Sequence, residues 1–159
     1  MVIIDGTNLL WAIQELPGEH EVTTEVELCR LLDRYLAQIG DEGQVVFDGA
    51  GPPDKSEFGA VGRVDVAFSG FNCDADTVVE EKIQANTAPR RLTVVSSDRR
   101  LRKAAGERKA TALKSDLFWN QVLAELRRKK PARKEPEAKR DGLTESETEQ
   151  WMDLFGLDE

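Results

Sequence analysis

Alternation is the feature that most limits how this chain can fold. Short apolar runs give way to segments of helical periodicity, several times over. Five runs read as strands: Val2-Ile3-Ile4, Gln44-Val45-Val46-Phe47, Val64-Asp65-Val66-Ala67-Phe68, Leu92-Thr93-Val94-Val95 and Ala110-Thr111-Ala112-Leu113. They are too short for buried helices and rich in β-branched residues. Between them, Val26, Leu28, Leu31, Leu32, Tyr35, Leu36 and Ile39 recur at spacings of three and four, which predicts a helix over 23–39. Further helices are expected after Asp74 (through Val78, Val79 and Ile83), over about 98–107, and from a Ser115-Asp116 cap through Leu117, Phe118, Val122, Leu123 and Leu126. Strand and helix in turn imply an α/β fold, a mostly parallel sheet with helices on both faces. The third run alternates Val64, Val66 and Phe68 with Asp65, Ala67 and Ser69, as a strand with one wet face does, such as an edge strand.

Ligand sites in such sheets lie outside the carboxyl ends of the strands. Three runs here reach an acid at that point: Ile4 leads into Asp5-Gly6-Thr7-Asn8, Phe47 into Asp48-Gly49, and Val95 into Ser96-Ser97-Asp98. A fourth cluster, Asn72-Cys73-Asp74-Ala75-Asp76, opens the next helix, and Glu80 lies one turn beyond Asp76 on the same face. Each acid alone has an ordinary explanation as a helix cap or turn residue. Together at one sheet edge they would repel one another unless a cation neutralised them. All-oxygen carboxylate sites suit Mg²⁺ or Mn²⁺, which can activate a water and stabilise an in-line phosphoryl transition state.

Charge is segregated in a way that fits this chemistry. Residues 1–86 carry 5 Lys/Arg against 17 Asp/Glu, a balance of −12. Residues 87–140 carry 17 against 6, a balance of +11, and 141–159 carry no base and 7 acids. A metal site beside a phosphate track would look like this; so would two solvated faces of opposite sign. Arg99, Arg100, Arg102 and Lys103 follow Asp98 directly and are candidate phosphate-backbone contacts. Phe58, Phe71 and Trp119 are the candidate base stackers, with Trp119 better suited to the core.

The ordered set Ile-Ile-Asp-Gly-Thr-Asn, Val-Phe-Asp-Gly, Asp-Ala-Asp-Thr and Val-Val-Ser-Ser-Asp resembles the NYN/PIN-like nucleases, and within them the YacP-like group of bacterial endoribonucleases. The resemblance covers roughly residues 2–125. It implies a PIN-like three-layer sandwich and Mg²⁺- or Mn²⁺-dependent endonucleolytic cleavage of RNA, leaving 5′-phosphate and 3′-hydroxyl ends. Carried over by position, it makes Asp5 and Asp76 primary metal ligands, with Asp98 completing the acidic pocket. Asp48 and Glu80 are further candidate ligands, and Asp74 stands behind them. Asn8 would orient Asp5 or the scissile phosphate, and Ser97 would bond a carboxylate or a phosphate. The family more often has a second acid where this chain has Thr77, and Glu80 is the candidate replacement.

A PIN-like domain is expected over 1–126, a basic Pro-containing linker over 127–142 and an acidic amphipathic segment over 143–159. The linker should be flexible. In the last segment Thr144 and Glu147 fit a capping box, with Trp151, Leu154 and Phe155 on one helical face. That segment is a candidate docking element for its own domain or for a protein partner. No apolar run approaches a membrane span and no signal-type segment precedes Val2, which reads as a cytoplasmic protein. Cys29 and Cys73 show neither zinc nor redox spacing and read as structural; His20, the lone histidine, has no expected role.

Rival chemistries lack parts. A haloacid-dehalogenase-like phosphatase would need a nucleophilic Asp at Ile3, and no Gly-rich phosphate loop of the Walker type occurs. A receiver domain remains an alternative only through Lys114. Two non-enzymatic readings stay open: an RNA- or ribosome-binding adaptor that keeps the fold without cleaving, and a scaffold whose acidic tail docks a partner.

Overall fold

The computed structural model describes residues 1–17, 22, 24–60 and 62–128. His20 and nearly all of the linker and C-terminal segment lie outside these residues. Five parallel strands form one sheet: β1 (Val2–Asp5), β2 (Gly43–Phe47), β3 (Val64–Phe68), β4 (Thr93–Val95) and β5 (Thr111–Leu113). Their order across the sheet is β3-β2-β1-β4-β5. Five helices join them: α1 (Gly6–Gln14), α2 (Glu25–Ile39), α3 (Ala75–Ala85), α4 (Arg99–Glu107) and α5 (Ser115–Arg127). Met1–Arg127 forms one unit by its internal contacts. Among the described residues, no helix is long and apolar enough to cross a membrane.

The pleat sorts the strand residues into two cores, because successive side chains point to opposite faces. Val2, Ile4, Val45, Phe47, Val64 and Val95 pack with α1, α2 and α5. Ile3, Val46 and Val94 pack with α3 and α4. Both faces of the sheet are therefore covered, giving three layers, as an all-parallel sheet requires. Helix α2 starts at a capping box in which Thr24 and Glu27 bond each other's backbone N–H, and it ends on Gly40 in the left-handed region. β3 is an edge strand, as its alternation predicts, with Asp65 exposed.

Helix α1 was not among the expected elements. Its first residues, Gly6-Thr7-Asn8, are poor helix formers, and it follows β1 without a linking residue, so Asp5 is both strand end and N-cap. The helix is held by Leu9, Leu10 and Ile13, all buried. Gly6 permits this abrupt start: a Cβ there would stand 2.5 Å from the Phe47 ring and 2.8 Å from Val45 Cγ1.

Strand order fixes where a ligand can sit. From β1 the chain steps to β2 and β3 on one side, then returns to lay β4 and β5 on the other. The switch point lies between β1 and β4, where the loops leaving the carboxyl ends diverge and open a crevice. Asp5 ends β1, and Ser96-Ser97-Asp98 follow β4.

Candidate functional site

The acids gather at that crevice because three of them cap helices that leave the same sheet edge. Asp5 Oδ1 accepts from Asn8 N–H at 3.3 Å, Asp74 from Thr77 N–H at 2.9 Å and Asp98 from Arg100 N–H at 2.8 Å. The N-termini of α1, α3 and α4 thus turn their free N–H groups and positive dipole ends toward the crevice, where negative charge is favoured.

Asp5 is the buried acid of the site, with only 4% of its surface exposed. Its second oxygen, Oδ2, accepts from Ser96 Oγ at 3.2 Å. Burial pushes its pKa up to about 7; the Asn8 N–H opposes this, the charge of Asp76 adds to it, Ser96 opposes and Asp48 adds. Asp76, on the first turn of α3, is also raised, by burial first and then by the charge of Asp98 and a side-chain hydrogen bond with it. Asp74 is held below the usual carboxylate range by the Thr77 hydroxyl and N–H.

The acids act on one another through their charges, Asp76 and Asp48 on Asp5, and Asp98 and Asp74 on Asp76. Among the described residues, no three His, Cys, Asp or Glu side chains are already grouped around one point as a metal would need. The donor set nonetheless fits a hard divalent cation, since every candidate donor is a carboxylate oxygen. The charge of Asp98 raises the cost of ionising Asp76, a cost that a cation between them would offset.

Asp48 and Glu80 are both engaged. Asp48 Oδ1 accepts from Ala75 N–H at 2.6 Å, tying the end of β2 to the start of α3. One oxygen of Glu80, Oε1, takes Nη2 and Nε of Arg100 at 2.8 and 3.2 Å, and Arg100 Nη2 also reaches Thr77 Oγ1. Arg100 is thus spent on bridging α4 to α3. Arg99, Arg102 and Lys103 line a depression of about 300 Å³ with Ala112. Within this basic set, the Arg102 Nε is buried without a hydrogen-bond partner.

A second network runs beneath the acids. Asn8 Oδ1 accepts from Ser97 N–H at 3.0 Å and from Ser115 Oγ at 2.6 Å, while Ser97 Oγ accepts from Ser115 N–H. These bonds fix which end of the Asn8 amide is which. Its Nδ2 makes no hydrogen bond among the described residues and is the end left to donate. The serine bonded to a site carboxylate is Ser96; Ser97, expected to bond a carboxylate or a phosphate, binds Asn8 and Ser115. Ser96 and Ser115, both fully buried, were not singled out from sequence as site residues, Ser115 being expected only as a helix cap. Ser96 also accepts from Asp98 N–H at 3.0 Å, so a single hydroxyl links β1's acid to α4's cap. Of the candidate stackers, Phe58 and Trp119 are buried in the core and Phe71 is exposed.

A family model described as the YacP-like NYN domain matches residues 2–155, a span that runs on through the basic linker and most of the acidic segment. Among solved structures, Rae1 (YacP) from Bacillus subtilis is similar at 22% identity, with a TM-score of 0.60, over 80% of this chain and 75% of that one. A point mutant of the same protein gives 23% identity and the same TM-score, over 79% and 76%. That likeness is one of fold. No curated protein matches the chain.

Proposed function

The chain belongs to the YacP-like NYN domain family, which is of nuclease type, and from that premise we propose that it is a metal-dependent endoribonuclease acting on single-stranded RNA. The observation that supports this reading is the buried carboxyl of Asp5 at the end of β1, raised by burial and by the charges of Asp76 and Asp48, with Asp76 raised in turn by burial and by Asp98. A protein gains nothing in stability from such an arrangement; it suits a cation.

In this reading Asp5, Asp76 and Asp98 would hold Mg²⁺ or Mn²⁺, which would supply an activated water and offset charge on the phosphate. Ser96 orients Asp5 through its hydroxyl, and the Asn8 Nδ2 donates to a phosphate oxygen, aimed by Ser97 and Ser115. Arg99, Arg102 and Lys103 take neighbouring phosphates of the RNA backbone in their shared depression. Asp48 and Glu80 act on the site indirectly, by placing the first turn of α3 and by holding Arg100.

Incubation of the pure protein with end-labelled single-stranded RNA, with Mn²⁺ or with chelator, tests the assignment. D5N and D76N should each abolish Mn²⁺-dependent cleavage with little loss of RNA affinity. Undiminished cleavage by both variants removes the assignment. A non-cleaving RNA- or ribosome-binding adaptor is the second reading, favoured because no three acids among the described residues are grouped as a metal would need. Such an adaptor would bind RNA equally with metal or chelator and leave it intact.

A further inference from the structure

Phe71 is the most exposed large apolar side chain among the described residues, at 90%, and it has no aromatic partner there. It lies on the loop joining β3 to α3, five residues before Asp76. Exposed aromatics on loose loops are common, but this loop is pinned on both sides of the ring. On the strand side, Gly70 N–H donates to Gly49 O at 2.8 Å, and Gly49 N–H donates to Ser69 Oγ at 3.1 Å. On the helix side, Asp74 caps α3, and Ala75 N–H reaches Asp48. Gly70 has φ of 88°, a conformation that only glycine takes at low cost, and the chain turns there immediately before Phe71.

We infer that Phe71 is a stacking platform for one unpaired base of the nucleic acid whose backbone occupies the carboxylate crevice. The inference rests on the nuclease reading and deepens it by naming the residue that holds an unpaired base of the substrate. Chemistry favours a base over a protein surface. Protein docking needs a contiguous apolar patch, and along the loop the ring is flanked by Gly70, Asn72, the half-buried Cys73 and Asp74, none of them a large apolar side chain. A nucleobase needs only one flat face of its own size, and any base will do. The pinned backbone also means that little order has to be created on binding. A base within a duplex is already stacked on both sides and cannot use the ring, so Phe71 selects single strands without reading their sequence.

The test uses the full chain in chelator, so that nothing is cut. The probe is a single-stranded RNA of mixed sequence carrying 2-aminopurine, with its blunt duplex alongside. F71L keeps an apolar side chain and removes the ring; F71W keeps a ring. F71L should weaken single-strand binding on the order of tenfold and lose the quenching of 2-aminopurine. F71W should bind at least as tightly as the parent, and duplex binding should be equal in all three. Equal single-strand affinity of F71L and the parent overturns the inference and leaves the ring as a protein contact. Equal losses in F71L and F71W, or equal losses for duplex and single strand, overturn it as well. Because binding is read without cleavage, none of these results bears on catalysis. A parent chain that binds no RNA in chelator and cuts none with Mn²⁺ removes the nuclease reading, and this inference with it.

Discussion

Asp5 is the residue at which function and stability pull in opposite directions. Its folded pKa of about 7 lies above the ordinary 3.8, so between those values the folded state holds a proton that the unfolded chain has released. Stability therefore falls as pH rises through that window. Below it both states are protonated, and above it the folded state carries a desolvated charge. By linkage the loss amounts to roughly 4 kcal/mol for the metal-free protein. Asp76 is shifted in the same direction and adds to it. In chelator, urea unfolding should show a more stable protein near pH 5 than near pH 8, and D5N should flatten that difference while raising stability at the alkaline end. A D5N profile as steep as the parent's would place the buried charge elsewhere. Asp5, Asp48 and Asp98 were legible in the sequence as candidates because each follows a strand run, and a parallel sheet brings strand ends to one edge; Asp76 was legible because its acidic cluster opens the next helix. The hydroxyls behind them were not. Ser115 meets Asn8 across 107 positions, and nothing local distinguishes Ser96 from Ser97 until β4 sets which one faces Asp5.

Among the elements, legibility followed the length and purity of the periodic signal. All five strands and the helices α2 to α5 stand where the apolar spacing predicts. Helix α1 escaped because its start is written in tertiary contact: Gly6 lets the first turn sit directly against Phe47 and Val45. Replacing Gly6 by Ala forces a Cβ into an aromatic ring that is itself buried, and overpacking of this kind costs about 1–3 kcal/mol. G6A should lower the unfolding midpoint accordingly and reduce cleavage more than RNA binding, because α1 and the Asp5 carboxylate share one junction. Unfolding and cleavage both unchanged would mean that Phe47 moves aside freely. Helices α3 and α4 are tied by Arg100 and Glu80, whose side chains are 45% and 35% exposed. A pair so accessible to water contributes little net stability. Its value lies in fixing the first turns of two helices that carry Asp76 and Asp98.

Over the whole molecule, a chain of net charge −8 binds a polyanion only if its charges are kept apart. The sequence already separates them, with the acids mostly before residue 87 and the bases between 87 and 140. The fold adds what composition could not give: which bases are free to meet phosphate. Arg99, Arg102 and Lys103 share one depression, whereas Arg100, adjacent in sequence, is turned to Glu80. Neighbouring arginines of one helix should therefore differ in their salt signature. Counterion release gives a slope of log K against log salt of about −0.7 for each single-strand phosphate contact. Reversing Arg99 and Arg102 together to Glu should make the slope shallower by about 1.4, if each holds one phosphate. R100E should leave the slope close to the parent value and act instead on cleavage, because it sets two acids against each other at Glu80. Filter binding across a salt series distinguishes the cases. A slope that R100E flattens as much as the double reversal would mean that Arg100 leaves Glu80 for the RNA. The two helices would then be joined by a latch that substrate opens.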